Sequence, residues 1–200
     1  MILYAIIILI FSTIACLLGC FVGVPWLNVS YGAVFATTGF YFLGLFLVDA
    51  MVAISTRMLP KNWFSPFKRI YKVKEKERKF YDKLKIRSWK DRIPETGQYL
   101  VGFSKTKLES MTDNEYVKKF MRETVYAEVM HALSIPLSFL TAFIYPKLFL
   151  LCGLPMIIGN IIMQALPVMV QRYNRYKLTI LYRRNAKNAK QKQEETKNEN

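Results

Sequence analysis

A single histidine, 14 acidic residues against 29 Lys and Arg, and three cysteines in 200 residues exclude several kinds of chemistry at the outset. One imidazole, His131, cannot supply a carboxylate-bridged metal pair, which needs Glu-x-x-His twice together with further carboxylates; no metal is expected. Cys16, Cys20 and Cys152 are odd in number and lie in apolar runs, so they predict neither a disulfide framework nor a zinc site. There is no Gly-x-Ser-x-Gly nucleophile elbow and no Gly-rich phosphate loop. The His-x4-Asp pattern of many glycerolipid acyltransferases is also missing, because Pro136 stands where its aspartate would be.

What is there is a combination that soluble domains rarely show: 52% hydrophobic residues with a formal net charge of +15, which requires the charges to be segregated. Four stretches are apolar and close to the roughly 20 residues that cross hydrocarbon: Met1 to Val24, Tyr31 to Ser55, Thr124 to Tyr145 and Leu148 to Val170. Of the Lys and Arg, 19 lie between Arg57 and Glu123 and 9 between Gln171 and Asn200. The positive-inside rule places both basic regions in the cytoplasm, together with both termini. The expected fold is thus an all-α integral membrane protein, with four transmembrane helices and a basic, amphipathic cytoplasmic segment between helices 2 and 3. Its parts are a transmembrane hairpin (1–56), the basic segment (57–123), a second hairpin with a polar cleft (124–170), a basic motif (171–184) and a polar tail (185–200) expected to be disordered. The first stretch has no basic n-region and no A-x-A site, although Leu17-Leu18-Gly19-Cys20 loosely resembles a lipoprotein cleavage box. It is expected to remain as a span, with Ala15, Gly19 and Gly23 allowing a neighbouring helix to approach closely.

In the basic segment, Trp63, Phe64, Phe67, Tyr71, Phe80, Tyr81 and Trp89 alternate with lysines and arginines. Such a pattern suits nucleic acid, where cations meet phosphates and rings stack on bases. Between two spans it suits an anionic membrane surface better, since Trp and Tyr anchor at headgroups and each cation gains about 1 kcal/mol from anionic lipid. No nucleic-acid partner is expected. Pro94 and Gly97 should break the segment, and Thr112 with Glu115 has the form of a capping box that starts a helix running into the third span.

That third span holds the ionisable residues in need of an explanation, because a charge near a bilayer centre costs at least about 2.5 kcal/mol. At about 100° per residue, Glu123, Thr124, Glu128 and His131 share one face. On the fourth span Asn160, Gln164, Gln171, Asn174 and Arg175 form a second polar stripe. A tight turn makes the two helices antiparallel neighbours, so the stripes are expected to face each other across a cleft open to the cytoplasm. Such a stripe can be interhelical glue or a site for chemistry on lipids. Asp49 stands alone on the second span and reads as bundle-facing polar glue.

Lys79-Phe80-Tyr81, Trp89-Lys90, Glu123-Thr124, Ala127-Glu128, His131 and the block Val170-Gln171-Arg172-Tyr173-Asn174-Arg175 followed by Leu178 resemble the glycosyl-4,4'-diaponeurosporenoate acyltransferase family over about residues 79–181. The resemblance implies transfer of a fatty acyl group to a sugar hydroxyl of a glycosylated carotenoid, or more coarsely of a glycosylated isoprenoid or other glycolipid. The chain differs from the family pattern in having two spans before the basic stretch and Ala132 after the histidine. For that reaction a neutral imidazole can take the hydroxyl proton near neutral pH. His131 is the expected base, with Glu128 fixing its tautomer by the logic of a carboxylate-held histidine, or with Glu123 or a residue of another span in that place. Asn160, Gln164, Gln171, Arg172, Asn174 and Arg175 are the expected substrate-binding residues, the arginines serving an oxyanion, a phosphate or a sugar. No bound cofactor is expected; the partners are a lipid acceptor and an acyl donor such as acyl-CoA. A transferase with another donor, or a non-catalytic scaffold or lipid-binding protein, would use the same features.

Overall fold

The computed structural model describes residues 2–93 and 111–198; the expected break at Pro94 and Gly97 lies outside them. Every regular element among the described residues is helical, and four helices are long and apolar enough to cross a membrane: Ile2–Leu27, Tyr31–Met58, Asn114–Phe143 and Pro146–Glu195. We number the helices α1 (Ile2–Leu27), α2 (Tyr31–Met58), α3 (Glu75–Lys83), α4 (Ile86–Trp89), α5 (Asn114–Leu137) and α6 (Leu154–Asn198). The all-α membrane architecture expected from hydropathy is the one found.

The chain folds as two compact units, Met1–Leu59 with Val129–Val168, and Pro60–Glu128 with Met169–Asn200. The first is the apolar one. Leu9, Phe21, Phe35, Phe46 and Ile54 stand exposed on its surface, an arrangement suited to hydrocarbon and not to water. Its interior is built on close approach. Ala15, Gly19 and Gly23 are buried, as their spacing predicts, and a Cβ at Gly19 would run into Val34 and come within 2.9 Å of Cys152 Sγ. The Tyr41 ring closes over Gly153, where a Cβ would lie 2.7 Å from the ring, and the Tyr41 hydroxyl donates to the Tyr145 carbonyl at 3.0 Å. Both glycine-rich contacts fall in short π-helical turns, Gly19–Gly23 and Phe149–Gly153.

Proline inside a transmembrane helix frees a carbonyl one turn back, and the apolar phase offers no water to satisfy it. Pro167 in α6 frees the carbonyl of Met163, and the Tyr4 hydroxyl supplies the missing donor at 3.1 Å. Around Pro136 in α5 the helix tightens into the 3-10 turn Ser138–Phe143, and hydroxyls again serve as local donors, Ser138 to Ile135 O at 2.7 Å and Thr141 to Ser138 O at 2.7 Å. The first hairpin turns through Asn28, which adopts a left-handed conformation (φ 50°), and Ser30 caps α2 by accepting from Ala33 N at 3.1 Å.

The second unit packs Val117, Phe120 and Met121 of α5 against Leu178 of α6. Its basic segment runs as 3-10 turns, α3 and α4, whose aromatic residues are shared between two faces. Phe64 is buried and stacked on Tyr126 at 4.0 Å, and Tyr81 is buried, whereas Trp63, Ile70 and Phe80 point outward. The cap of α5 is not the expected Thr112 but Asp113, whose Oδ1 accepts from Glu115 N at 2.9 Å. A carboxylate at a helix N-terminus also meets the positive end of the helix dipole.

At 45 residues α6 is about 68 Å long, more than twice the hydrocarbon thickness of roughly 30 Å. Its last turns therefore extend beyond the span. The tail from Asn185, expected to be disordered from its lack of large apolar residues, instead continues this helix as far as Asn198. No proline or glycine follows Pro167, the tail is rich in Ala, Lys, Gln and Glu with high helix propensity, and Asn185 Nδ2 ties its start to Met111 O at 2.6 Å.

Candidate active site

Two buried polar clusters carry the residues that the sequence singles out, one in each unit. In the first, the cap at Asp113 and the 3-10 turn after Pro136 bracket the helix on which His131 sits. His131 Nδ1 lies 2.5 Å from Gln164 Oε1, and Gln164 Nε2 donates to Asp49 Oδ2 at 2.6 Å and to Asn160 Oδ1 at 3.3 Å. Ser134 also adjoins the Asp49 carboxylate. Asp49, lone in the sequence, thus has its partners across three helices.

The chain of contacts fixes chemistry as well as position. A carboxylate oxygen only accepts, so it holds the NH2 end of the Gln164 amide and turns the amide oxygen towards His131. An amide oxygen also only accepts. His131 therefore carries a proton on Nδ1, and in the neutral ring the lone pair is then on Nε2. Gln164, a residue of another span with Asp49 behind it, is thus a hydrogen-bond partner of His131.

Glu128 is committed elsewhere, in the second unit. One of its oxygens accepts from Arg172 Nη1 at 2.5 Å, and the other pairs with Arg175 Nη2. Arg172 also reaches Glu77, through Nε and, at 2.9 Å, through Nη2. Tyr81 in turn donates to Glu77 Oε1 at 2.5 Å. An arginine pair in a site only 1% exposed at Arg175 holds the Glu128 carboxylate firmly. Burial on its own would raise the Glu77 carboxyl. The hydrogen bonds from Arg172 and Tyr81, with the guanidinium charge, outweigh it and hold Glu77 below the ordinary glutamate range. Tyr81 is pushed up by burial and then by Glu77, and Tyr71 is pushed up by burial and by the charge of Glu128.

The remaining expected residues divide between these clusters. Asn160 and Gln164 belong with His131. Arg172 and Arg175 belong with Glu128. Glu123 is buried on α5 and Gln171 on α6, and Asn174 is half-buried beside them in sequence. Gln171 Oε1 and the Nε and Nη1 atoms of Arg175 are buried with no hydrogen-bond partner among the described residues. The sequence did not single out Glu77 or assign Asp49 a partner. A signal for Glu77 was available, since a buried Arg-x-x-Arg calls for carboxylates and Glu77 is one turn from Tyr81.

The family profile described as glycosyl-4,4'-diaponeurosporenoate acyltransferase matches residues 60–184. The chain belongs to this family. It is an acyltransferase of carotenoid biosynthesis embedded in a membrane. The match takes in all of α3 to α5 and the motif from Gln171 to Arg175, starting some twenty residues earlier than the resemblance read from short motifs. It contains His131, Gln164, Glu77, Glu128, Arg172 and Arg175, but not Asp49. No curated protein and no solved structure matches the chain.

Proposed function

We propose that this acyltransferase moves a fatty acyl group from acyl-CoA to a sugar hydroxyl of a glycosylated carotenoid, or of a closely related glycolipid, with His131 as the general base. The observation that carries the reading is the Asp49–Gln164–His131 chain, which favours a proton on Nδ1 and so, in the neutral imidazole, the lone pair on Nε2. As the sugar oxygen attacks the thioester carbonyl carbon, its proton passes to Nε2. When the tetrahedral intermediate collapses, the C–S bond breaks and the leaving thiolate takes that proton. The imidazole returns to its starting state, and the ester and free coenzyme A are the products. No bound cofactor takes part.

In this scheme Asn160 positions the Gln164 amide, while Arg175, whose Nε and Nη1 are unmatched among the described residues, is the cation suited to an anionic group of substrate. Arg172 is held between two carboxylates and acts as a strut. Glu128 and Glu123 support this second cluster, with Gln171 and Asn174 offering amides to a sugar. The protein resides in the bacterial cell membrane with both termini and the 57–123 segment in the cytoplasm, a reading that rests on 28 of 29 cations lying in the two polar regions. That segment lies on an anionic lipid surface through its outward Trp63, Ile70 and Phe80.

The test is an assay of purified protein with acyl-CoA and a glycosylated carotenoid, following ester formation by mass spectrometry. His131→Gln should insert normally and lose at least about 100-fold in rate, the usual contribution of a general base. Full transfer by a normally inserted His131→Gln protein rejects the mechanism.

A further inference from the structure

A groove of about 730 Å³ opens in the second unit, between the α3–α4 turn and α6. Its size lies in the range of small-molecule and cofactor sites. Three of its walls end in cations, Lys85, Arg87 and Lys177, and two are the rings of Tyr81 and Tyr173. The single acid among the lining residues, Asp82, faces Arg78 at 3.4 Å, which offsets its charge. Lys177 is held with its ammonium 4.4 Å from the centre of the Tyr173 ring, so this flexible cation has a defined position beside an aromatic face.

The backbone at Lys85 is unusual in a way that bears on the groove. After α3 ends, Lys85 adopts a left-handed conformation, φ 51°, while its N–H donates to Asp82 O at 3.0 Å. A helix that stops this way ordinarily has glycine at that position, because a side chain there costs about 1 kcal/mol or more. Here the position carries a lysine, one of the residues that line the groove. Strain of this kind persists where the side chain serves something other than the turn.

We infer that this groove binds the phosphate-bearing end of the acyl donor. The inference rests on the acyl-transfer reading for the word donor, but not for the binding itself. Lys85, Arg87 and Lys177 neutralise phosphate oxygens, and the two tyrosine rings offer flat faces to what the phosphates carry. Two sources share this chemistry, the nucleotide of coenzyme A and the phosphodiester headgroup of a membrane lipid.

The experiment uses the full-length protein in detergent micelles at low salt. One arm titrates coenzyme A by calorimetry. The other counts retained phosphatidylglycerol by native mass spectrometry. Lys85→Gly relaxes the turn while removing the cation, so its melting temperature should hold or rise, and it is combined with Lys177→Gln. Lys76→Gln, exposed on α3 and outside the groove, is the control. We expect the paired variant to raise the dissociation constant of coenzyme A at least about tenfold with the control unchanged, which identifies a nucleotide donor. A selective loss of retained phosphatidylglycerol instead identifies a lipid phosphate. If neither quantity moves in a paired variant that melts like the parent protein, the groove is not a phosphate site. His131→Gln should bind as the parent does, so a failure of the proposed transfer mechanism and a failure of the groove produce different results.

Discussion

The two polar clusters solve the problem of buried polarity in opposite ways. In the first unit one carboxylate, Asp49, is spread through neutral amides before it reaches His131. In the second, two carboxylates and two guanidiniums alternate from Glu77 through Arg172 and Glu128 to Arg175. An unmatched buried ion costs several kcal/mol, so each charge of the second cluster has a close counter-charge, whereas Asp49 is held by hydrogen bonds from neutral groups. The amide chain holds a ring in one orientation and leaves it able to gain a proton. The ionic chain makes a brace in which each carboxylate is held by guanidinium, with unmatched nitrogens remaining only on Arg175 among its guanidiniums. Chemistry is therefore expected from the first cluster, and rigidity and charge placement from the second.

The comparison is most severely tested by Glu128→Gln. It strands Arg175, 1% exposed, and should cost about 3–5 kcal/mol of stability, read as a large fall in thermal melting in detergent. If the variant melts like the parent protein, the ionic chain is not a brace. Next in size, Gln164→Leu should slow acyl transfer about 10- to 100-fold, as when a histidine loses its orienting partner, and, by taking a donor from Asp49, lower stability by about 1–3 kcal/mol, less than Glu128→Gln. A melting loss as large as that of Glu128→Gln would show the two clusters to be alike. The smallest effect concerns acid. Because the folded-state value of Glu77 is depressed, its contribution is fully present above the unfolded value near 4.5 and is lost as pH falls through the lower folded value. Melting temperature should drop below about pH 4.5, and Glu77→Gln should flatten that drop. An unchanged acid limb in Glu77→Gln would place the acid-sensitive group elsewhere.

How much of this could be read from the chain depends on the distance over which each feature is specified. The four spans were legible because a bilayer selects on local composition alone. The pairing of His131 with Gln164 was nearly so, since helical periodicity gathers each stripe onto one face and a tight turn makes α5 and α6 neighbours. Asp49 was not, because its partner lies on α6 and α5 flanks them both, a relation that no local pattern encodes. Glu77 was hidden for the same reason, among many charges of a segment whose basic excess draws attention to its cations. The tail misled by composition, for a lack of apolar residues argues against a packed core but not against a helix built from good helix formers. Thr112 and Asp113 were both able to cap α5, and only geometry chooses between neighbours.

The amide of Gln164 has one more consequence. A carboxylate directly against the imidazole could take a proton from it, so charge could drain away through the back of the ring. Glutamine cannot do this readily, because its amide oxygen is a very weak base. In the proposed mechanism the proton taken from an incoming hydroxyl at Nε2 is then the one handed to the departing thiolate, which ties deprotonation of the acceptor to release of the donor within one turnover.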